Sequence, residues 1–267
     1  MIRSFVKKMK EGTEYLNYGR PIIAKWGAQS LLKMKPSPQL VVFDTGCGHG
    51  DDLVGIRNQF EQLGGNSKTL QLTGVEGYEP FRIECKNLGI ETFDLDIEKD
   101  RLPFKDGTVD IVVTNQVLEH TKEIFWIMSE YARILKPGGK LIIGVPNLAS
   151  LHNRLLLLLG LHPTAQQSLS AHVRSFTLPD LKHFTETGSF FTFKERKGSN
   201  FYPFPPVISK VLANLLPSMA WGLFALFERT DTQGSFLECL QGEQNFLETP
   251  FYGGPQRPAK PVKRTQK

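Results

Sequence analysis

The sequence predicts an α/β fold with a doubly wound, mostly parallel sheet. An apolar, β-branched-rich run of strand length, 40–44, ends in a glycine-rich turn and is followed by a helical pattern from residue 51. Further apolar runs at 70–76, 90–96 and 109–115 alternate with segments of helical periodicity. Strands that alternate with helices are typical of parallel βαβ units, whose helices cover both faces of the sheet.

The turn after the first strand has glycine at alternate positions, Gly46, Gly48 and Gly50. Without Cβ atoms, such a turn brings its backbone N–H groups close to a ligand, and the helix N-terminus that follows favours an anionic group. Asp44, at the end of the strand, can accept a hydrogen bond from a ligand ammonium or from the turn itself. The spacing differs from the G-x-G-x-x-G pattern of dinucleotide-binding proteins. Glycine-rich turns also occur in α/β proteins without a cofactor, so the turn alone leaves both interpretations open.

The later predicted strands each end on a residue with a polar side chain. The second strand ends on Glu76, the third on Asp96 and the fourth on Asn115. In an open parallel sheet, ligands bind outside the carboxyl ends of the strands, near the switch in strand order. A carboxylate at the end of the second strand can accept both hydroxyls of a ribose, the alternative being a surface glutamate. We therefore predict a ligand site at this edge of the sheet.

Length and cysteine usage limit the class of protein. With 267 residues and 40% hydrophobic content, the chain can bury one substantial core, which predicts one domain with appended elements. A helical segment at 1–39 would pack on the sheet or cover the ligand. The three cysteines form neither a disulfide framework nor a zinc pattern, which fits the reducing cytoplasm, and we predict no metal site. The N-terminus lacks the long apolar core of a signal peptide.

The net charge of +5 does not indicate a nucleic-acid partner, because the excess lies at one end. Residues 257–267 contain five basic side chains and no acidic one, so the rest of the chain is neutral. Prolines interrupt these charges, and we expect 242–267 to be a disordered basic tail. Weak attraction of this tail to an anionic surface is the alternative to a solvated tail without a partner.

The second half of the chain is predicted to complete the sheet. A helix predicted at 123–135 has its apolar residues on one stripe, which indicates a structural helix that packs on the sheet. Residues 136–139 would stop this helix and turn the chain into the fifth strand. The sixth strand is expected at 190–196 and the seventh, joined antiparallel, at 235–241.

An unusually apolar stretch lies between these last two predicted strands, at 203–227. Its most apolar part, 211–227, reaches only the lower limit of a membrane span and contains Asn214 and Pro217, which argues against a transmembrane helix. We expect two helices here, packed on the core or shielding a pocket. Shallow contact with a membrane is the alternative.

The motifs of this chain occur in the same order as those of a known enzyme superfamily. Six runs occur in sequence: Asp96-Ile97-Glu98, Leu102-Pro103-Phe104, Val109-Asp110-Ile111-Val112, Val117-Leu118-Glu119-His120, Leu135-Lys136-Pro137-Gly138-Gly139 and Leu141-Ile142-Ile143-Gly144-Val145-Pro146-Asn147. Together with the glycine turn, they resemble the class I S-adenosylmethionine (SAM) methyltransferases over about residues 40–190. Within that superfamily the chain is most similar to bacterial enzymes encoded with glycan biosynthesis and, more distantly, to MetW-like proteins. The resemblance implies a seven-stranded, Rossmann-like sheet with an antiparallel last strand.

The resemblance also implies roles for the residues at the strand ends. Gly46, Gly48 and Gly50 would cradle the methionine part of SAM, with Asp44 beside them, and Glu76 would hold the ribose.

For the rest of the cofactor, Asp96 and the backbone of Ile97 would receive the adenine, and Asn115 would lie near the sulfonium. Thr45 departs from the family pattern, in which Leu or Val is usual at this position.

The acceptor side is expected in two insertions, at about 147–176 and 203–228. His120 and His172 are candidate catalytic bases. Asn147 and Arg174 are candidate substrate-binding residues, Arg174 as an anchor for an anion or for the substrate. Alternatively, His120 caps a helix while His172 and Arg174 brace the insertion.

The function we predict is transfer of a methyl group from SAM to an oxygen of a glycan or small-metabolite acceptor by direct in-line displacement. Two alternatives stay open: methylation of a carboxylate or modified peptide, and a non-catalytic SAM-binding regulatory protein. An NAD-dependent oxidoreductase is disfavoured, because the glycine spacing is wrong for that cofactor.

Overall fold

The computed structural model of this chain describes residues 17, 19–35, 37–164, 166, 168–241 and 252–255. Its strands are β1 (Leu40–Asp44), β2 (Leu70–Val75), β3 (Glu91–Phe93), β4 (Val109–Asn115), β5 (Leu135–Pro146), β6 (Phe191–Ser199) and β7 (Gly222–Arg229). The helices are α1 (Arg20–Lys33), α2 (Asp51–Gln62), α3 (Glu79–Asn87), α4 (Ile124–Ile134), α5 (Leu151–Leu158), α6 (Leu178–Glu186), α7 (Pro206–Leu215) and α8 (Phe236–Gln241).

The seven strands form one sheet in the order β3-β2-β1-β4-β5-β7-β6. β1 lies parallel to β2 and β4, and β5 lies parallel to β4. β7 is inserted between β5 and β6 and is antiparallel to both. This confirms the predicted doubly wound, Rossmann-like sheet with one antiparallel strand. The strand order switches between β1 and β4, so the ends of these two strands flank the position where open α/β sheets bind ligands.

Helices cover both faces of the sheet because neighbouring strand residues point to opposite sides. Val42 packs in a cluster with Ile23 of α1 and Leu53 of α2. Phe43, the next residue along β1, packs in a second cluster with Tyr131 of α4. The described part of the N-terminal segment therefore packs on the sheet, as one of the two interpretations predicted. Residues 1–16 lie outside the described residues.

The prediction for the seventh strand was wrong. β7 is formed by Gly222–Arg229, within the apolar stretch that was expected to contain two helices, whereas 235–241 contains the short helix α8. Almost every residue of β7 is buried, and the strand lies between β5 and β6 in the sheet. A strand buried on both faces shows no alternation of apolar and polar residues, so its pattern resembles that of a buried helix. The expected insertion at 203–228 is therefore confined to residues before Gly222.

Two further boundaries were also wrong. β3 ends at Phe93, so Asp96 lies in the loop after the strand and not on its last residue. Residues 136–139, predicted as a turn before the fifth strand, lie inside β5. Pairing with β4 jumps from Val109↔Leu135 to Ile111↔Lys140, so the extra residues bulge out of the ladder, with Gly138 at φ +82°.

Part of the predicted tail packs on the body of the protein. Tyr252 donates from its hydroxyl to the Lys99 carbonyl over 3.1 Å, and its amide donates to the Glu123 carboxylate over 3.2 Å. Its ring also lies against Trp126, with 5.9 Å between ring centroids. The expectation of disorder is therefore wrong for 252–255, because these contacts hold the chain. Residues 242–251 and 256–267 lie outside the described residues.

The segment after β5 leaves the sheet and returns to it at the same place. Asn147 forms an isolated parallel bridge with Phe176, and the intervening chain includes α5. Within the described residues, we find no helix with both the length and the apolarity that crossing a membrane requires. The described part of the predicted insertion at 147–176 contains one short helix, and both of its ends meet the sheet at the Asn147–Phe176 bridge.

Candidate functional site

Hydrogen bonds fix the glycine turn to the ends of two strands, β2 and β4. Thr45 donates its amide to the Val113 carbonyl over 3.1 Å, and Cys47 donates to the Val75 carbonyl over 3.0 Å. Gly48 and Gly50 adopt φ of +51° and +83°, a region that side chains other than glycine rarely enter. A Cβ at Gly48 would meet no heavy atom of the described residues within 4 Å. The turn therefore presents bare backbone to open space.

Glu76 follows β2 and connects the strand end to the glycine turn. Its Oε2 accepts from the Gly48 amide over 3.0 Å, and its Oε1 accepts from the Tyr78 amide over 2.7 Å. Since a carboxylate offers about four lone-pair directions, both oxygens keep capacity for ligand hydroxyls. The position and the spare acceptor capacity agree with the predicted ribose role.

Buried acids cluster where β1 and β4 end. Asp44 is only 1% exposed and accepts from the Gly46 amide over 3.2 Å. Its burial, together with the nearby Asp52 carboxylate, raises the pKa of Asp44 well above its ordinary value. Burial also raises the pKa of Asp52 to about 6, although the Asn115 amide opposes this shift by donating to Asp52 Oδ2 over 2.8 Å.

Two oxygens in this cluster lack partners. Asp52 Oδ1 and Asn115 Oδ1 are buried and accept no hydrogen bond from the residues that the structure describes. Unsatisfied buried acceptors are costly, and a ligand ammonium would supply the missing donors. Sequence reasoning missed Asp52, which stood out only as a residue in the first turn of a helix; its burial against Asn115 depends on the fold.

The loop after β3 holds Asp96. Its Oδ1 accepts from the Glu98 amide over 3.0 Å, and its Oδ2 pairs with Lys99 over 2.6 Å. The hydrogen bond from Lys99 lowers the pKa of Asp96 below its usual value. Asp96 is therefore a fixed anion beside the pocket, close to the backbone of Ile97.

Thr45, the departure from the family pattern, is satisfied by a buried partner. Tyr131 of α4 donates its hydroxyl to Thr45 Oγ1 over 2.9 Å, and Thr45 Oγ1 lies 3.3 Å from the Val113 carbonyl, to which it donates. Burial raises the pKa of Tyr131 above its ordinary range, so the phenol stays a donor. A polar residue is thus accommodated under the turn without an unpaired group.

A pocket of about 400 Å³ opens at the carboxyl edge of the sheet. It brings together four of the predicted site residues and one candidate base: Gly46, Glu76, Asp96, Ile97 and His120. The other predicted cofactor residues, Asp44, Gly48, Gly50 and Asn115, are not among its lining residues.

A second cavity, of about 610 Å³, is lined by residues near the amino ends of the strands, including Val41, Gln71 and Glu91. It lies at the opposite edge of the sheet from the glycine turn. We place the ligand in the smaller pocket, because open α/β sheets bind ligands at the carboxyl ends of their strands.

A carboxyl group and two imidazoles meet at the rim of the smaller pocket. The rings of His120 and His172 are 4.6 Å apart between centroids and nearly perpendicular, at 78°. Glu119 is 1% exposed, and within the described part of the chain neither of its carboxylate oxygens accepts a hydrogen bond. Burial raises the pKa of Glu119 to about 7, although the backbone amide of the same residue opposes the shift.

The chain holds these three side chains close. The amides of Val173 and Arg174 donate to the Glu119 carbonyl over 2.8 and 3.2 Å, which docks the segment of His172 beside Glu119. One ligand-type atom from each of Glu119, His120 and His172 lies within 4.8 Å of the others. The prediction of no metal site relied on sequence spacing, which does not show this group, because Glu119 and His120 lie in a short 3-10 helix and His172 lies far along the chain.

The side chains of Arg174 and Asn147 form hydrogen bonds with backbone groups of the protein. The Arg174 guanidinium donates to the carbonyls of Thr121 and Lys122 over 3.2 and 2.6 Å, as the bracing alternative expects. Asn147 is 2% exposed and donates from Nδ2 to two carbonyls, over 2.9 and 2.8 Å, while its Oδ1 accepts from Ala149 over 2.9 Å. These polar atoms are thus engaged by the protein itself, and the substrate-binding roles of both residues stay predictions.

Comparison with known proteins agrees with this geometry. Residues 43–143 match a family model described as a methyltransferase domain. A 37.1 kDa protein from transposon TN4556 of Streptomyces fradiae is 32% identical over 113 residues, 40% of this chain and 30% of that protein. The bifunctional methionine biosynthesis protein MetXA/MetW of Rhodopirellula baltica is 29% identical over 121 residues, 45% of this chain and 19% of that protein. The chain thus spans less than a third of the length of these two relatives.

Among solved structures, the fold is similar to that of the DszA carbon methyltransferase. The TM-score is 0.56 at 15% sequence identity, and the match covers 84% of this chain and 56% of that one. S-adenosylmethionine is the cofactor of the family that the motifs and the family model indicate. Residues 43–143 therefore form a methyltransferase domain, and the strand order and the glycine turn around them are those of a class I SAM-dependent methyltransferase.

Proposed function

We propose that this chain transfers a methyl group from SAM to an oxygen of a glycan or small-metabolite acceptor by direct in-line displacement. The observation that carries this proposal is the imidazole pair at the rim of the cofactor pocket, where His120 lines the pocket and His172 packs against it. A hydroxyl acceptor must lose a proton as it is methylated, and a positioned imidazole can receive that proton. A carboxylate acceptor needs no such group.

The residues present fit SAM. Its amino group is an ammonium, and Asp52 Oδ1 and Asn115 Oδ1 are buried acceptors for which the described residues provide no donor. The bare backbone at Gly48 leaves room for the methionine part. Glu76 has acceptor capacity for the ribose hydroxyls, and the loop of Asp96 and Ile97 borders the same pocket, where adenine would lie.

When bound, SAM supplies a methyl group on a sulfonium, whose sulfur leaves as a neutral thioether. The protein therefore has to align the acceptor, exclude water and accept one proton. The new bond joins the acceptor oxygen to the methyl carbon, and the proton of the hydroxyl passes to the ring nitrogen of His120 or His172. The insertion at 147–176, which supplies His172, forms the acceptor side of the site.

The proposal is tested by following the methyl group. The purified chain is incubated with methyl-labelled SAM and, in parallel, with glycans, phenols, carboxylic acids and cell extract, and the labelled product is characterised by NMR. We expect an O-methyl ether. A methyl ester, or a methyl on carbon as made by the DszA enzyme, would overturn the oxygen-ether proposal. SAM binding without turnover on any acceptor would favour the regulatory alternative.

We also propose a cytoplasmic location, from cysteine usage, and shallow contact with an anionic membrane surface. The contact is supported by apolar side chains on the acceptor-side helices: Leu158 of α5 is 83% exposed and Val207 of α7 is 80% exposed. The two helices are neighbours, since Leu151 and Leu212 pack on one small apolar cluster. Exposed apolar groups on adjacent helices can enter the boundary between headgroups and acyl chains.

A further inference from the structure

We propose that Glu119, His120 and His172 bind one divalent transition-metal cation, of the Zn²⁺ type, at the acceptor-side rim of the pocket. One ligand-type atom from each residue lies within 4.8 Å of the others. Two imidazole nitrogens and one carboxylate are a ligand set that Zn²⁺ takes in catalytic sites, where a further position stays open. Imidazole also selects such borderline cations over Mg²⁺, which prefers oxygen ligands.

Glu119 is the strongest sign that something is bound here. Its side chain is almost fully buried, yet the described residues give neither carboxylate oxygen a hydrogen bond. Buried polar groups are nearly always satisfied, and an isolated buried carboxylate is especially costly. A cation between the carboxylate and the two rings would satisfy both oxygens without any change in the backbone.

The imidazole of His120 is oriented as a metal ligand often is. Its Nδ1 lies 3.4 Å from the Ala171 carbonyl oxygen. A carbonyl only accepts, so Nδ1 carries the proton in this contact, which leaves Nε2 with a lone pair. Metal-binding histidines commonly donate their other ring N–H to a carbonyl in this way.

The ligand-type atoms of Glu119, His120 and His172 are farther apart than the ligand atoms of a metal-bound site. Zn–N bonds of about 2.0–2.1 Å place tetrahedral ligand atoms about 3.4 Å apart. His120 is exposed, so rotation of its side chain can close the remaining gap without displacing packed residues. The docking of the His172 segment on the Glu119 carbonyl keeps the other two ligands together.

This site is separate from the Glu76 and Asp96 contacts, but His120 belongs to both the cluster and the lining of the cofactor pocket. An open coordination position at this rim can take an oxygen of the acceptor. In that state His120 and His172 are metal ligands, so the proton-accepting role given to them above belongs to the metal-free protein. Binding of the acceptor oxygen rests on the proposed function, whereas cation binding does not.

The test uses the full chain without an affinity tag, stripped with a chelator and dialysed. ZnCl₂ is titrated by calorimetry without SAM or acceptor, and CoCl₂ binding is followed by its visible absorption. We expect one equivalent of Zn²⁺, a Co²⁺ band that Zn²⁺ displaces, and no binding of MgCl₂ at the same concentrations. Since no methyl transfer is measured, failure of the proposed function leaves this result unaffected.

Three variants make the test specific. Glu119→Gln and His120→Ala should each weaken Zn²⁺ binding by at least about 100-fold, because each removes a ligand and even indirect partners of a ligand are worth 10–100-fold. His49→Ala is the matched control, because His49 and Glu84 form an exposed imidazole–carboxylate pair at 2.6 Å. Circular dichroism checks that every variant is folded.

The proposal would be overturned by wild-type protein that binds no Zn²⁺, by Zn²⁺ binding that His49→Ala abolishes and His120→Ala leaves intact, or by Mg²⁺ that binds as tightly as Zn²⁺. If Glu119→Gln fails to fold, His120→Ala decides, since His120 is exposed and its loss leaves the core unchanged.

Discussion

Asn115 donates a hydrogen bond from Nδ2 to Oδ2 of Asp52 over 2.8 Å, which joins the end of β4 to the first turn of α2. Asp44 ends the neighbouring strand, β1. Each of Asp52 and Asn115 keeps one buried oxygen that no described residue satisfies. The pair therefore forms a prepared acceptor for a cation next to the glycine turn.

The affinity for SAM should fall in acid because of this pair. Burial raises the pKa of Asp52 to about 6. Above that pH the carboxylate is charged and attracts the ammonium of SAM; as the pH falls through 6, protonation removes the attraction. We expect the Kd for SAM to rise by up to about tenfold for each pH unit below 6. Calorimetry at pH 5, 6, 7 and 8 measures this.

Asp52→Asn should bind SAM weakly and without that pH dependence. Asp51→Asn is the control, because Asp51 is the exposed neighbour and pairs with Arg20 over 2.8 Å. A wild-type Kd that is constant between pH 5 and 8 would contradict the assignment of the ammonium to this cluster.

Glu76 should matter for SAM through both of its oxygens. Hydrogen bonds to a charged group contribute about 1.5–3 kcal/mol each, so Glu76→Ala should weaken SAM binding by about 100-fold or more. Glu76→Gln keeps one acceptor oxygen and should lose about tenfold. Equilibrium dialysis with SAM and with its demethylated product checks both values. Glu79→Gln, at an exposed position in α3, should bind as the wild type does, and equal affinity for Glu76→Ala would refute the ribose role.

The glycines of the turn should differ in their tolerance of alanine. Gly50→Ala combines a φ of +83° with a Cβ only 2.5 Å from Ile90 Cδ1, so we expect a loss of about 2–4 kcal/mol in the free energy of unfolding. Gly48→Ala meets open space at φ +51° and should cost only about 1–2 kcal/mol while blocking SAM. Urea denaturation compares the two. Equal losses would show that contact with Ile90 is not what limits Gly50.

Turnover should depend on the imidazoles. His120→Ala and His172→Ala should each lower kcat by about 10²–10⁴-fold, the range for loss of general base catalysis, with SAM affinity retained. His183→Ala, at an exposed position on α6, is the control and should leave kcat unchanged. A histidine whose alanine variant keeps both kcat and SAM affinity is dismissed as a base. If His172→Ala lowers only the Tm, its role is to brace the insertion.

Membrane contact should depend on the exposed side chains of α5 and α7. The wild type should co-sediment with anionic vesicles at low salt, and the double variant Leu158→Glu and Val207→Glu should remain in the supernatant. Leu63→Glu with Leu88→Glu places the same charges at exposed apolar positions elsewhere and should still sediment. Absence of the wild-type protein from the vesicle pellet would remove this proposal.

Much of the fold could be predicted because the sequence carries local signals for it. β1 and β4 were predicted with their observed boundaries, since each is an apolar run that ends on a polar residue. β7 was missed because burial on both faces erases the alternation that identifies a strand. Its partner strands are β5 and β6, and no local pattern records that pairing.

In the candidate site, too, some residues could be predicted from local sequence and others could not. Glu76 could be found from its place at the end of a strand, and the structure puts it in the pocket. Asp52 and Glu119 could not be found, because what distinguishes them is burial without a partner, a property of the assembled fold. Asn147 and Arg174 lay in the expected insertion, but their polar atoms are engaged by neighbouring backbone, which a sequence does not show.

The bridge between Asn147 and Phe176 has a consequence for how such a protein can change. The chain departs from the sheet and rejoins it at adjacent positions, and lengthening a loop whose ends already meet costs little additional entropy. The stretch between them can accordingly be shortened or extended with the seven strands left in register, as long as its contacts with the Glu119 carbonyl and with α7 are kept. On the proposed function this segment forms the acceptor side, so acceptor preference can diversify while the part of the site that binds the nucleoside stays the same.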